Sequence, residues 1–425
     1  MSRVVDGELS GDGVTLVEPT GPEGYDRAVP ALVMRVDRNV LHHGTLGVIR
    51  SLGRVGVEVH ALIEGPASPS ARSRYLHRLH AWTPEPAGPQ EVLAELAAVS
   101  DRIGRRCLLV PVDDLGALVV AEHAAALADR FLLPQQRPAV PGRLADKAAL
   151  AGLCAELGVP HPPVRLPRSA KEVADAVGAL GLPVVAKWSR PWLLPALSGL
   201  RSTALLRSAA EATALFARSA VAGSQLVLQR LVPPTPRGDW FFQAYLDGSS
   251  TRLAGGTGWK ERAYPTEAGQ TTLGRWLPNR PVESLAVRLL SAVGYRGILD
   301  LDFRYDPESG QYQLLDANPR LGAQFRVFVD DQALDVVRVQ HLDLTGREVP
   351  PWRPRPGRRL LVENYDILSA ARNWRDGRLD LAGWRRSLRR VEERAWFAWD
   401  DPRPFAAMGS HSARQRARHL VSPRL

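Results

Sequence analysis

The chain has 425 residues, 45% hydrophobic and 24% charged, the balance of a folded globular protein with room for two or three domains. No stretch approaches the ~18 apolar residues of a membrane-crossing helix, and the polar, acidic start Met1–Gly13 lacks the apolar segment of a secretory leader. Two cysteines, Cys107 and Cys154, exclude a disulfide framework and have no metal-ligand spacing, so both read as buried thiols and the expected compartment is the cytoplasm. The net charge of +10 gathers beyond Pro351, in Arg353, Arg355, Arg358, Arg359, Arg385, Arg386, Arg389, Arg390, Arg414, Arg416 and Arg418. No nucleic-acid-reading signature accompanies these arginines. They read as a solvated basic face, and nucleic acid is not an expected partner.

In chain order, residues 1–27 are rich in Gly, Glu, Asp and Pro and read as a flexible leader. Ala31-Leu-Val-Met-Arg-Val is a buried strand, followed by His42-His-Gly-Thr-Leu-Gly and an amphipathic helix through Arg54. A strand at Val57–Ile63, a helix over about Gln90–Ile103, a strand at Cys107–Val112 and a helix after Asp113 continue the alternation. Strands alternating with helices predict a parallel sheet covered on both faces, over residues 28–143. The turn His43-Gly-Thr-Leu-Gly resembles a phosphate cradle but lacks dinucleotide spacing. Asp113 and Asp114 fall where ligands of parallel sheets sit and equally where a helix is capped.

From Ala145 the pattern changes. Helices at Asp146–Leu157 and Ala170–Leu180 lead to the strand Pro183–Trp188, a helix around Ser208–Ser219 and the strand Gln225–Val232. Trp240–Leu246 and Arg252–Gly256 alternate apolar and polar residues, as an antiparallel sheet with one wet face does. A helix over Val282–Val293 precedes a hairpin, Gly297–Tyr305 with Gln311–Leu315, around Asp306-Pro-Glu-Ser-Gly. These elements read as a second unit, 144–349, in lobes of about 144–224 and 225–349. Beyond Pro351-Trp-Arg-Pro-Arg-Pro-Gly, residues 350–425 read as a separate basic helical extension.

Only four lysines occur, Lys147, Lys171, Lys187 and Lys260, although arginine supplies every other cation. In such a chain a retained lysine marks a site that needs a compact ammonium. Lys171 lies in an exposed helical pattern. Lys187 ends an apolar strand, Lys147 opens a helix, and Lys260 falls in a long polar stretch (Gly256 to Thr272) with the composition of a mobile lid. Residues two apart on a strand share a face, so Asp300 and Asp302 point one way, as do Asp316 and Asn318. Oxygen ligands on both strands of a hairpin can hold Mg²⁺ together with substrate phosphates. Arg320, just beyond, can fork onto a phosphate or carboxylate.

The ordered series Asp146-Lys147, Val184-Val-Ala-Lys187, Leu226-Val-Leu-Gln-Arg-Leu-Val-Pro233, Lys260-Glu-Arg-Ala-Tyr-Pro, Asp302-Phe-Arg and Asp316-Ala-Asn-Pro-Arg320 resembles the ATP-grasp superfamily. Within it, the carboxylate–amine ligase branch that includes D-aspartate ligases is the most similar. Trp399-Asp-Asp-Pro-Arg-Pro is similar to a tail of that branch. The resemblance implies an α/β chain: an N-terminal Rossmann-like domain, a two-lobed α+β ATP-grasp domain and the basic C-terminal extension. It implies ATP with Mg²⁺, or Mn²⁺ in its place, small-molecule carboxylate and amine substrates, no membrane, and a homodimer.

At matching positions, Lys147 and Lys187 would hold the α- and β-phosphates. Gln229, Arg230, Leu231 and Val232 would form the adenine hinge, with the backbone of Arg230 and Val232 reading the base and Asp239 meeting the ribose. Asp302, Asp316 and Asn318 would bind the metal, and Lys260, Arg262 and Arg320 would neutralise the transferring phosphoryl group. The chain departs from the pattern in three places. Aspartates replace the usual glutamates at 302 and 316, Arg230 stands where an acid is common, and no glycine-rich loop separates Lys187 from Arg201. The alternative expectation is a non-catalytic ATP-binding homologue, or a nucleotide-dependent binding protein whose basic tail contacts nucleic acid.

Overall fold

The computed structural model describes residues 24–37, 39–82, 88–195, 198–266 and 269–421, with side chains to residue 415. Residues 1–23 of the expected leader, the side chains of Arg416 and Arg418, residues 196–197 and residues 267–268 of the expected lid lie outside this description. The described end of the leader is packed. Tyr25 meets the His341 ring, and Asp26 pairs with Arg347 at 2.8 Å.

Five short apolar runs become parallel strands: β1 (Ala31–Met34), β2 (Val59–Ile63), β3 (Arg78–Ala81), β4 (Cys107–Pro111) and β5 (Phe131–Leu132), in the order β3-β2-β1-β4-β5. All residues of β1 and β2 are buried, as the absence of polar alternation requires. Val33, Val59 and Val110 pack with Val48, Ile49 and Leu52 of the helix His43–Gly53. On the other face, Leu32, Met34 and Leu109 pack with Val92, Leu96 and Val99 of the helix Pro89–Ile103. The strand order reverses between β1 and β4, so their carboxyl ends flank the crevice where such sheets take ligands.

A four-stranded antiparallel sheet follows: β6 (Val164–Arg165), β7 (Val184–Trp188), β8 (Thr203–Leu206) and β9 (Leu226–Arg230), ordered β6-β9-β7-β8. The sequence reading omitted β8, a short run beside the proline-rich segment. Period-2 alternation sorts β7. Val184, Ala186 and Trp188 pack against Val173, Ala176 and Val177 of the helix Ala170–Leu180, which leaves Val185 and Lys187 to the opposite face.

The third sheet has seven strands: β10 (Asp239–Leu246), β11 (Arg252–Tyr264), β12 (Gln270–Trp276), β13 (Gly297–Asp306), β14 (Gln311–Asn318), β15 (Arg359–Leu361) and β16 (Glu393–Arg394), ordered β14-β13-β10-β11-β12-β15-β16. Leu299, Leu301 and Phe303 of β13 pack with Ala286, Leu289 and Leu290 of the helix Arg280–Val293. Each such fully buried side chain contributes about 1.5–3 kcal/mol. The same alternation presents Asp300, Asp302 and Arg304 to the other face.

Two expectations change here. The polar stretch after Gly256 is not a loop: it forms most of β11, which runs to Tyr264 and pairs with β12. The residues beyond Pro350 are not a separate extension, since β15 pairs with β12 and β16 pairs with β15. Within the tail Trp399–Pro404, Asp401 docks inward, with Arg50 Nε 3.0 Å from its Oδ2 in a buried pair, while Trp399 stays exposed. Part of the basic charge is matched internally, Arg359 by Glu261 at 3.0 Å and Arg358 by Glu393 at 3.4 Å. Among the described residues, no helix is long and apolar enough to cross a membrane.

Candidate active site

The floor of the site is the β13–β14 hairpin. Asp300 lies opposite Asn318 and Asp302 opposite Asp316, so four oxygen-bearing side chains share one face at adjacent register positions. Phe303 then pairs with Leu314, so Leu315 is an extra residue in β14, a bulge. Its carbonyl accepts a 2.6 Å hydrogen bond from Lys187 Nζ.

Three of the four lysines meet this floor, each from a different element. Asp146 caps the helix Lys147–Leu157, accepting from the Ala148 and Ala149 amides, which sets Lys147 at the first helical position. The Lys147 amide bonds the Ser189 carbonyl at 2.9 Å just past β7, and its ammonium pairs with Asp316. Lys260, on β11, lies 2.7 Å from Asp302 Oδ1. Lys171 is exposed on its helix, as expected.

Charge balance follows from these pairs. Burial disfavours the Asp316 carboxylate, but Lys147 and Lys187 outweigh it and hold the group below the usual range. Burial pulls Lys187 down, partly offset by Asp316. For Lys260, burial is overcome by Asp302 and the ammonium is raised. Buried charges persist only when paired, and each of these has its counter-charge within the site.

A cleft opens between the second and third sheets over this floor, with about 750 Å³ of empty space out to open solvent. Lys187, Gln229, Arg230, Leu231, Val232, Asp239, Lys260, Asp302 and Asp316 line it together with Val185 and Thr203. The hairpin tip of β11–β12 contributes Thr266 and Gly269. The expected backbone readers are partly engaged already. The Arg230 amide donates to the Pro163 carbonyl at 2.9 Å, and the Val232 carbonyl accepts from Arg304 Nη1 at 3.1 Å. The Arg230 side chain turns to Asp306 and Glu308, which accounts for a cation where an acid is common. Asp239 is held in a fork by Arg304 Nε and Nη2.

Arg320 does not line this cleft. It pairs with Asp114 at 3.0 Å, joining the hairpin exit to the carboxyl end of β4, and burial of its guanidinium is outweighed by Asp114 and Asp300. Asp113 is a cap: it accepts from the Gly116 amide at 2.9 Å and the Val36 amide at 2.7 Å, tying the ends of β1 and β4 together. Asp300 accepts from Gln243 and Gln324, and burial followed by the Asp302 charge raises its carboxyl.

Two sequence candidates fall elsewhere. Arg262 is not in the cleft. A register shift follows Lys260, and the Arg262 guanidinium forks onto buried Asp366 (2.7 and 2.9 Å) and donates to Ser387. The His43-Gly-Thr turn is a packing contact, since a Cβ at Gly44 would stand 2.8 Å from Ala323 Cα.

Sequence reasoning missed Arg304, Gln243, Thr203 and the Leu315 carbonyl. Arg304 was within reach, two residues beyond Asp302 on the same strand face. Gln243 becomes visible only through the β10–β13 register, which pairs it with Asp300. A main-chain carbonyl at a bulge has no side-chain signal at all.

No family model matches the chain. A D-aspartate ligase from Enterococcus faecium (strain Aus0004) is 23% identical over 243 residues, 55% of this chain and 58% of the ligase, so the match spans under two thirds of that relative's length. Among solved structures, the N5-carboxyaminoimidazole ribonucleotide synthetase of Thermus thermophilus superposes with a TM-score of 0.55 at 18% identity, covering 76% of this chain and 81% of its own. The biotin carboxylase domain dimer of Hydrogenobacter thermophilus 2-oxoglutarate carboxylase, solved with MgADP, ADP and bicarbonate, gives 0.54 at 17% identity, covering 77% and 73%.

Proposed function

The chain has the ATP-grasp fold, and from that premise we propose that it is an ATP-dependent ligase joining a carboxylate to an amine. One observation carries this reading: three scarce lysines converge on Asp302, Asp316 and the Leu315 carbonyl, and two of them, Lys187 and Lys260, line the cleft above. Phosphoryl transfer asks a protein mainly to position reactants and neutralise developing charge. Compact ammonium groups from three elements are suited to that task.

In this reading Lys147 and Lys187 take the α- and β-phosphates, exchanging Asp316 and the Leu315 carbonyl for phosphate oxygens. Leu231 and Val232 give the base an apolar wall, and Asp239 stands beside the ribose while forked to Arg304. Two carboxylates and an amide oxygen are the hard donors that Mg²⁺ prefers. Asp302 Oδ1 is engaged by Lys260 Nζ at 2.7 Å, and a carboxylate oxygen has a second lone pair to offer a cation. Asp302, Asp316 and Asn318 therefore fit the ion and would hold it, with Mn²⁺ as a substitute. When bound, the ion neutralises charge on the phosphate oxygens.

Lys260 and Arg320 then meet the transferring group from opposite sides. A carboxylate oxygen bonds to the γ-phosphorus as the bond to ADP breaks. The amine nitrogen next bonds to the acyl carbon, phosphate leaves and the amine gives up a proton. Thr266 and Gly269, at the hairpin tip, shield the acyl phosphate from water between the two steps. Arg262 has no part in this chemistry: it anchors β11.

A screen of amino acids in pairs, with ATP and Mg²⁺, tests the proposal. Release of ADP and phosphate with a correct pair is expected, and AMP with pyrophosphate would sink the acyl-phosphate route.

A further inference from the structure

The amino ends of β2 and β3, at the opposite end of the parallel sheet from Asp113 and Asp114, carry a histidine cluster that the nucleotide chemistry leaves unused. Glu58 precedes β2, His60 lies within it, His77 precedes β3 and His80 lies within it. Glu58 Oε1 is 2.8 Å from His60 Nε2 and 3.8 Å from His77 Nε2, and the three ligand atoms all lie within 4.8 Å of one another. Tetrahedral Zn²⁺ with bonds of about 2.0–2.1 Å separates its ligand atoms by roughly 3.4 Å, so no pair of the set is more than about 1.4 Å from closure. The His77 side chain is 57% exposed and free to make that adjustment.

The surroundings are those of a supported ligand set. His60 Nδ1 lies 3.0 Å from His80 Nε2, so its other nitrogen is held while Nε2 faces the carboxylate. Such outer partners fix the tautomer and orientation of a ligating imidazole. Arg105 holds Glu58 Oε2 at 2.7 Å, which leaves Oε1 for the shared point. The His60 ring stacks on that of His80, centroids 5.3 Å apart, and meets the His77 ring at a tilt of 54° and 5.2 Å. A purely hydrogen-bonded cluster accounts for the His60–Glu58 contact. The exposed His77 turns its Nε2 to the same oxygen at 3.8 Å, beyond hydrogen-bond range and within ion-pair distance, which brings both imidazoles to one carboxylate oxygen.

We propose that Glu58, His60 and His77 form a transition-metal site of the Zn²⁺, Co²⁺ or Ni²⁺ class. Two imidazoles and one carboxylate favour such ions over Mg²⁺, which seeks oxygen. Its effect is to clip the edge strand β3 to β2, and it stands independently of the ligase reading.

The full chain without a histidine tag is titrated with Zn²⁺ and with Co²⁺, in excess Mg²⁺ to occupy the aspartate site. The expected result is one equivalent bound, with Co²⁺ giving visible d–d absorption of a nitrogen-ligated ion. Thermal midpoint should rise with Zn²⁺. His77→Ala and Glu58→Gln should each lower the affinity at least roughly tenfold, as outer partners alone do in known sites, and leave MgADP binding unchanged. Failure of the unmodified chain to take up Zn²⁺ or Co²⁺ would overturn the proposal without any variant. Undiminished uptake by His77→Ala would do the same.

Discussion

Arg262→Ala separates the structural reading of β11 from the lid expected of its sequence. Arg262 and Asp366 are both nearly sealed, with side chains 8% and 2% exposed. Truncating the arginine leaves Asp366 with only the Thr272 hydroxyl and the Trp384 indole N–H as donors. Removing one partner of a buried ion pair costs about 3–5 kcal/mol, because the remaining charge stays desolvated. Unfolding entropy near 2.1 cal/mol/K per residue gives roughly 0.9 kcal/mol/K for a chain of this length, so a cooperative transition should move down by about 3–6 °C. The assay pairs a thermal melt with equilibrium MgADP binding at a temperature where the variant stays folded. A lowered midpoint with unchanged affinity is expected. An unchanged midpoint with lost affinity would refute the structural role and return Arg262 to the nucleotide.

Lys187→Met should weaken MgADP by at least roughly tenfold, since a hydrogen bond to a charged group is worth about 1.5–3 kcal/mol; calorimetric titration reads this, and wild-type affinity would remove Lys187 from the site. Asp316→Asn should abolish the Mg²⁺ enhancement of ADP binding while metal-free binding persists, measured with and without EDTA. Gly322→Ala places a Cβ 1.6 Å from Gln243 Nε2 and 2.7 Å from Asp300 Cγ. Overpacking of this kind costs about 1–3 kcal/mol, so its melting midpoint should fall while MgADP affinity holds. Acid should destabilise the chain through His43 and His161, both brought down to about 4, by burial and, for His161, also by Lys187. Their folded pKa values are depressed, so the stability they confer is complete above about 6.5 and is lost as pH falls towards 4, at up to ~1.4 kcal/mol per unit for each. Urea midpoints at pH 7.5, 6 and 5 should decrease in that order, and a midpoint that rises would contradict the sign.

What the sequence made legible were features with a short-range physical signature. Buried parallel strands announce themselves as apolar runs, and the shared face of Asp302 and Asp316 follows from period-2 alternation within one hairpin. Lysine scarcity pointed to three side chains that do converge. What stayed hidden depends on long-range pairing. Lys260 looked like a lid residue because β11 is rich in glycine and polar side chains, acceptable only because neighbouring strands cover it. The family resemblance groups Arg262 with Lys260, and the register shift between them is not written in either residue. Asp366, the partner that decides the role of Arg262, lies 104 positions away in a segment whose composition suggested a detached extension.

The central claim is that the cleft over the β13–β14 hairpin holds the metal and nucleotide. Crystals of the chain grown with Mn²⁺ and a non-hydrolysable ATP analogue, measured for anomalous scattering, test it most directly. The account predicts an anomalous peak among Asp302, Asp316 and Asn318, with phosphates against Lys147, Lys187 and Lys260. A nucleotide bound instead at the carboxyl ends of β1 and β4, with no peak at the hairpin, would contradict it.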